Sequence, residues 1–202
     1  MPRLTAITAL GGLLLVLFAP ASRAQSDVPR IELGGHFTFI GFQHTYPNVE
    51  QTGLGATATW NLNSHLALDS AIDFLPASLG AANPNGGGSI LQSVAGLKAG
   101  VRKSRFGLFA KARAGFFHVT AFETTSFNPP GAAFFRLNQP ELDLGGVAEV
   151  YVSRRLSLRY DLGDTMVFYG KRTINQGGTS ITAIGSRILQ NFQFSAGIAF
   201  RF

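Results

Sequence analysis

The chain of 202 residues contains no cysteine. That absence excludes a lipid-anchored lipoprotein, a disulfide framework, a thiolate metal site and a cysteine nucleophile. Charge is also scarce, at 14% of residues, and the formal surplus of +6 includes Arg3 and Arg23, which belong to a segment expected to be removed. The remaining bases are spread among short turns and alternating stretches. They do not gather into the basic face of a nucleic-acid module, so no nucleic-acid partner is expected. Beyond the N-terminal segment there is no long apolar helix, and no heptad pattern, low-complexity tract or solenoid repeat. What the sequence does have is 24 glycines and 18 phenylalanines, which suggest many turns and a large aromatic surface.

Residues 1–24 read as a cleaved secretory signal. Arg3 lies in a short basic region, and an apolar run follows through Ala9, Leu10, Leu13, Leu14, Leu15, Val16, Leu17 and Phe18. After Pro20, Ser22-Arg23-Ala24 precedes Gln25 as a cleavage site, with Ala19-Pro20-Ala21 as a second option. The run is short for a membrane span. Residues 25–202 are then expected to form one domain.

Within that domain eight stretches show the period-two alternation of a strand with one apolar face. They run near Arg30 to Phe42, Thr52 to Leu62, His65 to Leu75, Ser89 to Val101, Arg105 to Thr120, Pro140 to Val152, Leu156 to Asp164 and Asn191 to Phe202. In the last, Phe192, Phe194, Ala196, Ile198, Phe200 and Phe202 alternate with Gln193, Ser195, Gly197, Ala199 and Arg201. Connections alternate in length: Leu62 to Ser64, Arg102 to Ser104 and Ser153 to Arg155 are tight, whereas Gln43 to Gln51, Pro76 to Gly88, Ala121 to Gln139 and Thr165 to Gln190 are long.

In the central parts of these stretches no charge shares the apolar parity. Glu32, Asp69, Asp73, Lys98, Lys111, Arg113, Glu141, Asp143, Glu149, Arg159, Asp161 and Arg201 all fall on the other one. Two arrangements give this pattern. Apolar faces turned out to lipid would enclose the charges in a lumen, where they can pair. Apolar faces turned inward around a ligand would make a soluble, lipocalin-like barrel. The short and long connections favour the first, as do faces rich in Ser, Thr, Gly and Ala. Trp60, Tyr160, Phe106, Phe192, Phe200 and Phe202 lie toward strand ends, as interface aromatics do. Eight strands leave an interior that side chains fill, so a wide pore is not expected.

A chain stopping on Phe202, with Phe200 and Ile198 on the same face, resembles the C-terminal strand of bacterial outer-membrane β-barrels. The whole pattern resembles the transmembrane domain of outer membrane protein A and its OmpX-like relatives. The resemblance implies an all-β, eight-stranded antiparallel up-and-down transmembrane barrel in the outer membrane. Short turns would face the periplasm, and Ile198, Phe200 and Phe202 would be the signal read by the barrel-assembly machinery. The chain stops at the eighth strand, so a peptidoglycan-binding domain is not implied. Expected partners are outer-membrane lipid, lipopolysaccharide and an extracellular partner met by the loops. The role expected is structural or surface-interacting, in envelope integrity or adhesion, without enzymatic activity. The alternatives are a narrow, porin-like conductor and a lipid-active enzyme.

The enzyme alternative rests on His118, which shares the outward parity with Thr120 near Glu123. Lipid A deacylases of the outer membrane are similar barrels with a His-x-Ser pair and a glutamate at the outer rim. This chain has threonine in place of the serine, which departs from that pattern. His36 is expected in the lumen, bonded to an acid, while His44 and His65 have no spaced partners that would suggest a metal, and no cofactor is expected. Glu50, Arg136, Asp164, Lys171 and Arg172 are assigned to the long loops, where binding functions concentrate. Arg102, Lys103, Arg105, Arg154 and Arg155 crowd the short turns and are expected to contact anionic phospholipid head groups.

Overall fold

Each alternating stretch can satisfy its backbone only by pairing with neighbours, and closing the sheet on itself removes the unpaired edges. The computed structural model, which describes residues 28–42, 49–76, 89–119, 137–170, 172–176, 179–184 and 186–202, closes in this way. Its strands are β1 (Ile31–Phe42), β2 (Val49–Asn61), β3 (Leu66–Leu75), β4 (Ile90–Arg102), β5 (Phe106–Val119), β6 (Leu137–Tyr151), β7 (Leu156–Tyr169), β8 (Arg172–Gln176), β9 (Thr179–Ile184) and β10 (Arg187–Arg201). Eight of them form a closed antiparallel barrel in the order β1-β10-β7-β6-β5-β4-β3-β2, and β8 and β9 form a separate two-stranded sheet. Among the described residues no helix is long and apolar enough to cross a membrane.

The register follows the parity of the sequence. His36 stands opposite both Gly197 and Gly55, and Leu68 stands opposite Leu97. Outward positions such as Leu54, Leu68, Ile72, Leu97, Leu108 and Ile198 are exposed, whereas the charged residues between them are buried. Trp60, Phe106, Phe200 and Phe202 are exposed around the short-turn end.

Several boundaries differ from the sequence expectation. β7 continues past Asp164 to Tyr169, and β10 begins at Arg187, because these segments pair with each other from Tyr169↔Arg187 downward. Asp164 is therefore a strand residue on the outward parity, opposite Phe192 and Leu144, and not a loop residue. The last long connection also carries the β8-β9 hairpin, which the alternation does not reveal. β2 and β6 each begin nearer the loop end than expected, at Val49 and Leu137.

Inward glycines let the wall and its contents approach closely. A Cβ on Gly55 would overlap both His36 Nε2 and Asp73 Oδ1, so the missing side chain makes room for that pair. A Cβ on Gly96 would strike the backbone of Ala112 and Arg113.

Candidate functional site in the barrel lumen

The lumen is layered from the short-turn end to the loop end. At the short-turn mouth, Lys98 is ion-paired to Glu149, and Arg102 Nη2 lies 3.2 Å from Glu32 Oε1 and 3.5 Å from Glu149 Oε2. Arg102 Nε donates to the Tyr151 hydroxyl at 2.9 Å, which donates in turn to Glu149 Oε2 at 2.9 Å. Arg201 reaches within 3.5 Å of Glu32 and lies 4.1 Å over the Tyr151 ring.

The middle layer joins three bases to three acids. Arg159 holds Asp69 with both terminal nitrogens, at 2.8 and 2.7 Å, and lies 3.1 Å from Asp161. Arg113 meets Asp143 through Nε at 2.8 Å and Nη2 at 2.5 Å, and meets Asp69 through Nη1 at 3.0 Å. Lys111 lies 2.7 Å from Asp143 and 2.5 Å from Asp161. Thr59 Oγ1 donates to Asp69 at 2.6 Å. Bidentate guanidinium–carboxylate geometry is the strongest form of such pairing, and mutual neutralisation offsets the desolvation of these buried charges.

Above this hub the charges thin out. His36 Nε2 lies 2.5 Å from Asp73 Oδ1. Among the described residues Glu141 has no ion pair: its Oε2 accepts from Gln92 Nε2 at 3.1 Å, and its Oε1 has no hydrogen-bond partner. Glu141 thus lies in the lumen with the other expected charges but without a paired base among the described residues, because register brings amides and not cations to its level. Gln92, Gln193, Thr38, Thr165 and Ser195 form a neutral hydrogen-bonded layer there. At the loop end Ile40, Leu75, Ile90, Phe117, Val119 and Val167 pack into an apolar lid, with Tyr169 against it.

Period-two alternation does not reveal this lid, although doublets of large apolar residues mark it at one end of their strands: Phe39-Ile40, Phe74-Leu75 and Phe116-Phe117. Arg102 is not an exposed turn residue as expected: it is turned inward as a member of the mouth layer, with a side chain 6% exposed. Lys103, Arg105, Arg154 and Arg155 remain exposed on the turns.

Between hub and lid, a cavity lined by His36, Asp73, Arg113, Arg159, Asp161 and Ser195 has about 10 Å³ open to the centre of a water-sized sphere. That is room for about one water. Ile198 and Phe200 lie outward on β10, the strand that pairs with β1 to close the barrel, and the exposed Phe202 follows it.

His118 also faces outward, at the loop end of β5, with its Nδ1 against Asn138 Oδ1 across the β5-β6 ladder. Thr120 and Glu123, the other two members of the enzyme alternative, lie outside the described residues. So do His44, Arg136, Lys171 and the signal segment 1–24, as well as the side chain of Arg172. Among the described residues no group of three or more His, Asp or Glu is placed to hold a metal.

No protein-family model and no curated protein matches the chain. Its fold does match solved structures. Neisserial surface protein A aligns with a TM-score of 0.60 at 11% identity, over 85% of this chain and 97% of that one. Ail, the attachment invasion locus protein of Yersinia pestis, aligns with a TM-score of 0.51 both alone, at 10% identity, and in complex with the heparin analogue sucrose octasulfate, at 9%, over 85% of this chain and 96% of that one. Likeness at these identities is likeness of fold, and it agrees with the closed antiparallel strand order. The chain has the fold of the small eight-stranded outer-membrane β-barrels.

Proposed function

We propose that this chain is an integral outer-membrane protein of structural or surface-interacting kind, non-enzymatic, whose barrel is a closed support for the long connections at one end. The observation that supports this reading best is the Arg159–Asp69 pair. β7 and β3 lie four strands apart in either direction around the ring, so the pair crosses the full width of the lumen. With the ionic hub below and the apolar lid above, the described residues leave no open route for hydrated ions. An exposed belt of Leu, Ile and Phe suits acyl chains, and the loop-end rim would meet lipopolysaccharide. Ile198, Phe200 and Phe202 would engage the barrel-assembly machinery while the β1-β10 seam is still open.

Planar-bilayer recording of the folded protein tests the closed-barrel reading, which expects no discrete conductance steps. Reproducible steps would replace it with the narrow-conductor reading. Protease treatment of intact cells tests the surface role, because cleavage should fall in the long connections and spare the short turns.

A further inference from the structure

The lumen charges are not evenly distributed. The hub balances three bases against three acids, whereas among the described residues the mouth sets Lys98, Arg102 and Arg201 against Glu32 and Glu149. Outside this cationic mouth lies a vestibule of about 1000 Å³ at the short-turn end. Among the described residues its walls include Arg30, Arg102, Lys103, Arg154 and Arg201 and no carboxylate side chain, with the C-terminal Phe202 also at its edge.

Two of these cations have unmet donors. Arg102 Nη1 is buried without a hydrogen-bond partner among the described residues, although Nε and Nη2 are both engaged. Arg201 Nε, on a side chain 8% exposed, likewise makes no hydrogen bond, its nearest acid being Glu32 at 3.5 Å. Two guanidinium groups, each more than nine-tenths buried and incompletely satisfied, thus form part of a cation-lined opening.

We propose that the vestibule binds a phosphate ester. Arg102 and Arg201 supply positive charge from its floor, and Arg30, Lys103 and Arg154 supply it at the rim. A tetrahedral oxyanion matches the planar donor sets of arginine and the surplus of positive charge. The volume exceeds that of a bare ion and accommodates an organic substituent, for which Tyr151 offers an aromatic flank. The same chemistry has two sources: the head group of an anionic phospholipid in the adjoining leaflet, or a soluble phosphate ester in the compartment the mouth faces. The inference does not depend on whether the lumen conducts.

The test uses the folded protein in phosphatidylcholine nanodiscs with nitrogen-15-labelled arginine, titrated with glycerol 3-phosphate. A parallel preparation contains phosphatidylglycerol. Saturable movement of the Arg102 and Arg201 Nε–H resonances with glycerol 3-phosphate in neutral lipid supports the site and a soluble source. Movement only with phosphatidylglycerol supports the site and a lipid source. In either arm the Lys103→Gln, Arg154→Gln double variant, altered only on exposed turns, should bind about tenfold more weakly. Its gel migration before and after heating should match the parent. Absence of saturable movement in both arms overturns the proposal, as does binding that the double variant leaves unchanged.

Discussion

Arg159 on β7 and Asp69 on β3 face each other from opposite walls and meet through two parallel hydrogen bonds of 2.8 and 2.7 Å. Arg113 shares the same carboxylate at 3.0 Å, so Asp69 is the counter-ion of two buried guanidinium groups. Asp69→Ala should therefore destabilise the barrel by about 3–5 kcal/mol, the cost of leaving a buried partner unpaired. Urea unfolding of vesicle-inserted protein, followed by heat-modifiable gel migration, measures it. The Asp69→Leu, Arg159→Met double variant should recover part of the loss, since it removes one guanidinium along with the acid.

Glu141 is expected to behave in the opposite way. It is buried without a cation, and its Oε2 accepts from an amide that can also reach Gln193. Glu141→Gln keeps the shape and removes an unpaired charge, so the unfolding midpoint should stay unchanged or rise. A fall as large as that of Asp69→Ala would show that a counter-ion reaches Glu141.

Gly55 tests the packing of the lumen. A methyl group there has no free space between His36 Nε2 and Asp73 Oδ1, so Gly55→Ala should separate the pair at a cost of about 1–3 kcal/mol. Gly35→Ala, on the outward parity with only the Gly55 carbonyl oxygen at 3.9 Å, should have little effect in the same unfolding assay.

How much of this was legible in the sequence depends on what each feature requires. Strand parity needs only local alternation, so the eight barrel strands and the inward position of residues such as Lys98 and Asp143 could be read directly. Which acid meets which base depends on the stagger between strands and on the width of the ring, so the Arg159–Asp69 pairing and the isolation of Glu141 could not. Gly163 and Asp164 look like the end of a strand. The ladder passes through them because Thr165 and Val167 keep the inward parity, and both are fully buried. Arg102 was assigned to a turn because it adjoins Lys103, yet as the last residue of β4 it still obeys the inward alternation. The lid was hidden for the opposite reason, since Ile40 and Phe117 place apolar side chains on the face that sequence reasoning reserves for polar ones.

The outer wall yields its own prediction. Leu97 is exposed between Leu68 and Ala112 on neighbouring strands. Leu97→Arg should cost about 2–4 kcal/mol in a bilayer if it lies near mid-depth, with less loss nearer an interface. The unfolding free energy in vesicles gives the value directly.

The polarity of the wall underlies every part of this account, and the absence of native cysteine makes it directly measurable. Spin labels would be placed one at a time at Ala67→Cys, Leu68→Cys, Ser70→Cys, Ala71→Cys and Ile72→Cys in the bilayer-inserted protein. Collisional relaxation by oxygen, which concentrates in acyl chains, should be high at 68, 70 and 72 and low at 67 and 71. Uniform values along β3, or high values at 67 and 71 with low values at 68 and 72, would contradict it.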